Sequence, residues 1–175
     1  MTNFCIVVTG LPGSGKTTIG KKIAQGLEIA FLDKDDYLEA LYEERGVGDT
    51  AWRQALSRES DLFFQHDAEQ ENSAVLVSHW RPRSLDTRSG TPTAWLAQSF
   101  ERVIEICCEC PAEEATNRFM NRQRHAGHLD RLKSYDETLS WMQAYEKHLP
   151  LNIGNTLTIS TLGNQSIEGL INELK

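Results

Sequence analysis

The stretch Gly10-Leu11-Pro12-Gly13-Ser14-Gly15-Lys16-Thr17 fits the spacing G-x-x-x-x-G-K-[ST]. Each residue type in it has a chemical reason. Glycines let successive backbone N–H groups converge on one concavity with no Cβ atoms in the way, which suits anionic oxygen. A helix starting near Lys16 adds its positive dipole end. Lys16 supplies a full charge for the β- and γ-phosphates of a nucleotide, and the Thr17 hydroxyl is a fitting ligand for Mg2+. Residues Gly10 to Thr18 are therefore the expected nucleotide-binding segment.

Two further groups could act on a bound phosphate. "FLDKDDY" carries Asp33, Asp35 and Asp36 after an apolar run. Phosphoryl transfer to a hydroxyl needs an aspartate to orient the acceptor and take its proton, and it needs carboxylates near Mg2+. The simpler alternative is that Asp33 caps a helix and the other two favour its first turn. The sequence favours chemistry for at least one of them, Asp35 ahead of Asp33. Between Arg118 and Lys133 lie Arg118, Arg122, Arg124, Arg131 and Lys133, with His125 and His128, against the single acid Asp130. Arg118 and Arg122 are one helical turn apart and are expected on a shared face. Guanidinium groups grip phosphate in two places, and a segment closing over ATP would exclude water. The plain alternative is a solvated helix face.

These residues need a scaffold. Phe4–Val8, Glu28–Leu32, Ala74–Ser78, Val103–Cys108 and Leu157–Thr161 read as five strands, the first, third and fourth as apolar runs suited to burial on both faces. Helical spacing marks Lys16–Gln25, with Gly26 as a stop, then Lys34–Glu44 and a longer stretch, continuous or broken, over Thr50–Glu71. Thr93–Phe100, Pro111 to about Gln123, about Ser134–His148 and Ser166–Leu174 complete the helices, and Arg81–Pro92 reads as a loop. Alternation of this kind predicts an α/β fold with a five-stranded parallel sheet and right-handed crossovers. Ligands then sit outside the carboxyl ends of the strands, where both Lys16 and Asp35 fall.

Composition narrows the field. The 175 residues suit one domain, 1–175, with 39% hydrophobic and 25% charged residues. No apolar run approaches the roughly 20 residues that span a bilayer. The N-terminus has no basic region or cleavage site of a signal peptide, so a cytoplasmic location is expected. The net charge of −7 argues against nucleic acid as a partner. Cys107 and Cys110 form one C-x-x-C without a second pair, so buried reduced thiols are expected rather than a zinc site. His125 and His128 lack a third metal ligand and read as turn residues near phosphate.

The combination resembles the small P-loop kinases related to gluconate kinase, shikimate kinase, chloramphenicol phosphotransferase and the kinase domain of polynucleotide kinases. "GLPGSGKTT" matches their phosphate loop, "LDKDDY" their strand-end acidic motif, and "CPAEEATNRFMNRQRHAGH" their strand end, helix and arginine-bearing lid, here about residues 118–133. The resemblance covers most of the chain in order. It implies a P-loop nucleoside triphosphate hydrolase fold with a lid. It also implies Asp35 as base, an arginine such as Arg118 beside the adenine, and Arg122 or Arg124 on the transferring phosphate. One departure is plain. Many P-loop proteins have an aspartate at the end of the third strand, where this chain has Ser78 and His79. Asp33 or Ser78 would then serve the metal. His79, Trp80, Arg81 and Arg83 form an aromatic and basic rim with two readings, an acceptor site or a loop anchored to the core by its tryptophan.

The expected protein is an ATP- and Mg2+-dependent phosphotransferase acting on a hydroxyl of a small molecule. Lys16, Asp35 and Arg122 are its catalytic group, Thr17 and Asp33 its metal ligands, and Arg118 and Arg124 further nucleotide contacts. Arg81 or Arg83 would bind an anionic part of the acceptor. Two rivals are a 5′-hydroxyl polynucleotide kinase and a nucleotide-binding ATPase or switch with no acceptor. Oligomeric state and the acceptor's identity are not encoded in any motif.

Overall fold

The computed structural model describes residues 3–84, 89–128, 133–163 and 166–175. Five strands, β1 (Phe4–Gly10), β2 (Ala30–Asp33), β3 (Ser73–Val77), β4 (Arg102–Glu109) and β5 (Asn155–Ser160), form one sheet in the order β2-β3-β1-β4-β5. Every pairing is parallel. The sheet is wound from β1 outward in both directions, so the switch point falls at the end of β1, where the glycine-rich segment begins.

Seven helices accompany the strands: α1 (Lys16–Leu27), α2 (Lys34–Arg45), α3 (Thr50–Gln70), α4 (Leu96–Ser99), α5 (Ala112–Asn121), α6 (Tyr135–Glu146) and α7 (Glu168–Leu174). Strand side chains alternate between two apolar layers. Ile6, Val8, Ile104 and Ile106 pack against α1 and α7, while Cys5, Val7 and Leu76 pack with Phe64 of α3 and with Trp80 and Trp95. A third layer joins Leu11 to α5 and α6 through Phe119, Met142 and Tyr145.

Several boundaries differ from the sequence expectation for identifiable reasons. Gly26 does not stop α1. A Cβ there would lie 2.5 Å from Ile171 Cδ1, so the residue is small to admit α7. The stop is Glu28, left-handed at φ 56, whose N–H bonds back to the Ala24 and Gln25 carbonyls. Glu28 therefore lies outside β2. The α3 helix is continuous, and Ser134 starts α6 through a reciprocal capping box with Glu137.

One buried acid ties the sheet together. Glu105 of β4 has no exposed surface, yet its carboxylate accepts from Thr9 Oγ1 (2.7 Å), Leu151 N (2.8 Å), Ile153 N (3.3 Å) and Thr156 Oγ1 (3.1 Å). It holds the α6–β5 connection against the strand that enters the glycine loop.

Candidate active site

The glycine loop is built as the motif demands. Gly10, Gly13 and Gly15 have φ values of 137, 82 and 93, in the region where a side chain would be strained. Gly13 is also packed from outside, since a Cβ there would sit 2.4 Å from the Ala115 carbonyl oxygen of α5. Lys16 starts α1 and folds back over the loop, its Nζ donating to the carbonyls of Gly10 (3.1 Å) and Leu11 (2.9 Å). Burial pushes its ammonium down to about 8, offset in part by Cys108, Asp35 and Asp33. Ser14 Oγ is buried with no partner among the described residues. A charge and a hydroxyl left in this state inside a ring of amides suit a polyphosphate. Leu11 and Pro12 are buried in the packing below the loop, and Thr17 and Thr18 are exposed at its mouth.

Asp33 is the cap of α2 through one oxygen and meets Thr17 through the other. Oδ1 accepts from the Asp35 backbone N–H as the cap of α2 (3.1 Å), which is worth about 1 kcal/mol. Oδ2 accepts from Thr17 Oγ1 at 2.7 Å. Burial and the neighbouring Asp35 push the Asp33 carboxyl up. The hydroxyl and carboxylate are hard oxygen donors on the edge of the phosphate loop. Magnesium is commonly held by one or two such side chains together with substrate phosphates, so the residues present fit that ion.

Asp35 faces the same space from the first turn of α2. Its side chain is 46% exposed. Burial alone would push its carboxyl up, but Arg124, His128, Lys34 and Arg122 hold it below the usual carboxylate range. Arg124 Nη2 pairs directly with Asp35 Oδ2.

The arginines part company. The α5 helix ends at Asn121, and Arg122 is its extended cap at φ −76 and ψ 148. Its N–H still bonds to the Arg118 carbonyl at 3.1 Å, so Arg122 stands one turn after Arg118 and the chain turns away only beyond it. Arg118 pairs with Glu114 at 2.7 Å and donates to the Thr161 carbonyl at 3.3 Å, beside the loop after β5. That exposed i,i+4 pair is worth only about 0.3–0.5 kcal/mol, so a ligand can re-employ the arginine at little cost. Arg122 lies over the Phe119 ring at 4.5 Å, and its charge reaches Lys16 and Asp35.

His125 and His128 are held by α2, and the charge of His128 reaches Asp35. Both pack on Tyr42 of α2, His125 stacked at 5.3 Å and His128 edge-on at 5.7 Å, and a Cβ on the intervening Gly127 would lie 2.5 Å from the Tyr42 ring. His128 Nε2 is 2.8 Å from Glu39 Oε1 and 3.3 Å from Arg124 Nη2. Arginine cannot accept, so one ring nitrogen cannot satisfy both neighbours at once. The shorter contact has the imidazole donating to Glu39. These contacts fasten the segment after α5 onto α2. Arg131 and Asp130, expected in the same lid, lie outside the described residues.

The aromatic and basic rim resolves into separate fates. Trp80 is 1% exposed and its indole N–H donates to the Val8 carbonyl at 3.0 Å, so it anchors the loop to the core. Arg81 donates to the carbonyls of Ser89 (3.2 Å) and Gly90 (2.9 Å), within its own loop. Arg83 is exposed beside Lys147 and His148. Only His79 turns into the site region, where the charges of Lys16, Lys34 and Asp35 reach it.

The sequence reading missed one network. Lys34, 7% exposed, donates to Ser57 Oγ at 2.7 Å and lies 3.6 Å from Asp61. Asp61 accepts from Thr91 Oγ1 at 2.7 Å, and Thr91 is 2.6 Å from Ser78 Oγ. Thr91 has one proton, given to Asp61, so Ser78 is the donor to Thr91. The acid absent from the end of β3 is thus carried by α3, two hydroxyls away. The apolar spacing of α3 gave no hint of it, because Ser57 and Asp61 meet Lys34 only once α3 packs on α2.

The four cysteines, Cys5, Cys107, Cys108 and Cys110, are buried free thiols, and burial pushes Cys5 and Cys108 up to about 12. Among the described residues no helix is long and apolar enough to cross a membrane.

Comparison with known proteins agrees with this geometry. Residues 5–147 match the AAA_33 family, an AAA domain. The shikimate kinase of Ruegeria pomeroyi is 28% identical over 170 residues, 97% of this chain and 82% of its own length. A Chloroflexus aurantiacus protein assigned provisionally to the kinases superposes with a TM-score of 0.79 at 23% identity, covering 99% of this chain and 97% of its own. The Bacteroides thetaiotaomicron shikimate kinase superposes at 0.61 with 24% identity, covering 98% and 96%. At those identities the two structures establish the fold. With the family match over most of the chain, they place this protein in the AAA_33 family of AAA domains, among the small P-loop kinases.

Proposed function

We propose that the protein is an ATP-dependent kinase that moves the γ-phosphoryl group to an alcohol on a small molecule. The observation that carries this reading is Asp35, an accessible carboxylate held ionised within electrostatic reach of Lys16 and next to the Thr17–Asp33 pair. An ATPase or switch has no need of such a group.

Lys16, freed from its two loop carbonyls, holds the β- and γ-phosphates. Thr17 and Asp33 would hold Mg2+, which would supply positive charge to the phosphate oxygens when bound. Asp35 accepts the hydroxyl proton through the oxygen that Arg124 leaves open. The alcohol oxygen forms its bond to the γ-phosphorus as the bond to the bridging oxygen breaks, and ADP leaves with that electron pair. Arg122 faces the phosphate side and offsets charge at transfer, while Arg118 borders the adenine beside Thr161. Residues 118–133 act as the lid of a single kinase domain and keep water from the γ-phosphate. Relatives named as shikimate and sugar kinases support a hydroxyl acceptor. The net charge of −7 weighs against a polynucleotide acceptor. Four reduced thiols suit the cytoplasm.

The test is ADP release from ATP and Mg2+ over a panel of sugars, sugar acids, cyclic hydroxy acids and nucleosides. Acceptor-dependent release is expected. ATP hydrolysis that no acceptor stimulates would favour the switch.

A further inference from the structure

A hollow of about 370 Å3 opens between the loop after β3 and the end of α6. None of the residues that bond to Asp35, Lys16 or Thr17 lines it. Arg83 and Ser84 form one side, Lys147 and His148 the other, and Pro82 and Leu149 supply apolar surface between them. The two segments are pinned together twice. Tyr145 Oη donates to the Trp80 carbonyl at 2.5 Å, and Ser84 Oγ lies 2.8 Å from His148 Nδ1.

The chain carries 25 acidic residues against 18 lysines and arginines, yet among the described residues no acid lines this hollow. Arg83 and Lys147 make no ion pair with any described residue. The negative end of the α6 dipole accounts for the sign of Lys147 and His148. It does not account for a guanidinium brought against them from another segment. Like charges that share a hollow repel, and an entering anion reverses that cost. Two permanent cations match a dianion, which the guanidinium grips in two places and the ammonium meets as a point charge. Small-molecule sites run from about 300 to 1,000 Å3, so there is space beside a phosphate group for a carbon skeleton.

We infer that this hollow is an effector site for a phosphate monoester of sugar size, separate from the cleft that holds Asp35. The phosphate oxygens lie between Arg83 and Lys147, Ser84 and His148 add hydrogen bonds, and the carbon skeleton rests on Pro82 and Leu149. A bound ester bridges the loop after β3 to α6. The same two segments meet again at His79, whose ring packs on Tyr145 (4.7 Å) and Trp141 (5.5 Å) and lies within reach of the charges of Lys16 and Asp35. Occupancy of the hollow therefore stiffens one wall of the cleft. The inference does not depend on the kinase reading, because the site lies outside the residues that carry it.

The experiment is calorimetry on the full chain saturated with a non-hydrolysable ATP analogue and Mg2+, so that the phosphate loop is filled. The probes are glucose 6-phosphate and glycerol 3-phosphate, set against glucose, gluconate and inorganic phosphate. At least one ester is expected to bind about tenfold or more tightly than any of the three controls, and more weakly as salt rises. Arg83→Met and Lys147→Met should each weaken that ester by about tenfold, Arg83→Lys by less, with affinity for the analogue unchanged. The His148 ring resonances should shift on titration in the wild type and stay in place in the double Met variant. Amide exchange over residues 79–84 should slow when the ester is bound. Thermal melting reports whether each variant is folded. Equal affinity for glucose and glucose 6-phosphate, or ester binding that both Met variants leave unchanged, would overturn the inference. Inorganic phosphate or gluconate binding as tightly as the esters would overturn the assignment to a phosphate monoester, and unchanged exchange would overturn the effector role. Failure to bind the analogue would count against the kinase reading alone, since the variants locate the ester without it.

Discussion

Arg124 reaches across 89 residues of chain to close an ion pair on Asp35, joining the segment after α5 to the first turn of α2. The pair keeps the carboxylate ionised while it waits for an alcohol. It also leaves one carboxylate oxygen open, so the arginine need not depart before transfer. Replacing Asp35 by Asn should lower kcat by about 10²- to 10⁴-fold, the usual worth of a positioned base, with ATP affinity little changed. Arg124→Met should move the acid limb of the kcat/KM profile to higher pH. The sign follows from Arg124 holding the Asp35 carboxyl down, so that without it the base protonates earlier as pH falls. A limb that stays in place would show that Asp35 is not the titrating group.

Lys16 provides a second pH dependence, of opposite position. In the free protein its ammonium is pushed down to about 8 by burial. Phosphate oxygen favours the charged form, so nucleotide binding above that pH takes up a proton. Affinity for ADP and ATP should therefore be flat below pH 8 and fall by up to about tenfold per unit above it. Calorimetry in buffers of different ionisation enthalpy, at pH 7 and pH 9, measures the uptake directly. No proton uptake at pH 9 would mean that the lysine is already charged there.

Glu105 predicts a stability effect remote from any phosphate. Its carboxylate satisfies four donors, two of them backbone N–H groups of the α6–β5 connection. Glu105→Ala strands those donors and should cost about 3–5 kcal/mol, while Glu105→Gln keeps part of the set and should cost about 1–2. For a chain of this size the alanine variant should melt roughly 6–20 °C lower. Denaturant and thermal unfolding of both variants check the order and the size.

The His128–Glu39 contact should govern how well the closed segment sheds water. Glu39→Gln or His128→Ala removes a buried tie between the lid and α2. Amide exchange over residues 122–128 should quicken, and ATP hydrolysis without acceptor should rise relative to transfer. Unchanged exchange in both variants would assign the closure to the Tyr42 stacking alone.

What the sequence disclosed follows from the range of each interaction. The glycine loop, its flanking strand and helix, and Asp33 at a strand end are local, and adjacent residues dictate them. The central strands β1, β3 and β4 were legible because burial on both faces leaves short apolar runs, a signal the less buried edge strands β2 and β5 carry more weakly. The Arg122 geometry was not, since whether α5 continues past Asn121 depends on packing against Phe119 and the loop. Gly26 looked like a stop because its partner, Ile171, lies at the other end of the chain. Lys34, Asp61, Thr91 and Ser78 come from four separate segments, and no spacing rule relates them.

The contact of Gly13 with the Ala115 carbonyl leaves no room for slip between the anion cradle and α5. Cradle and helix must travel as one rigid part, so Arg118 keeps a fixed offset from whatever polyphosphate is seated. The stretch behind β5 at Thr161 is tied into the same frame through the Glu109 carbonyl, so Gly13→Ala would have to push α5 off the cradle, and Arg118 with it, before an anion could be seated.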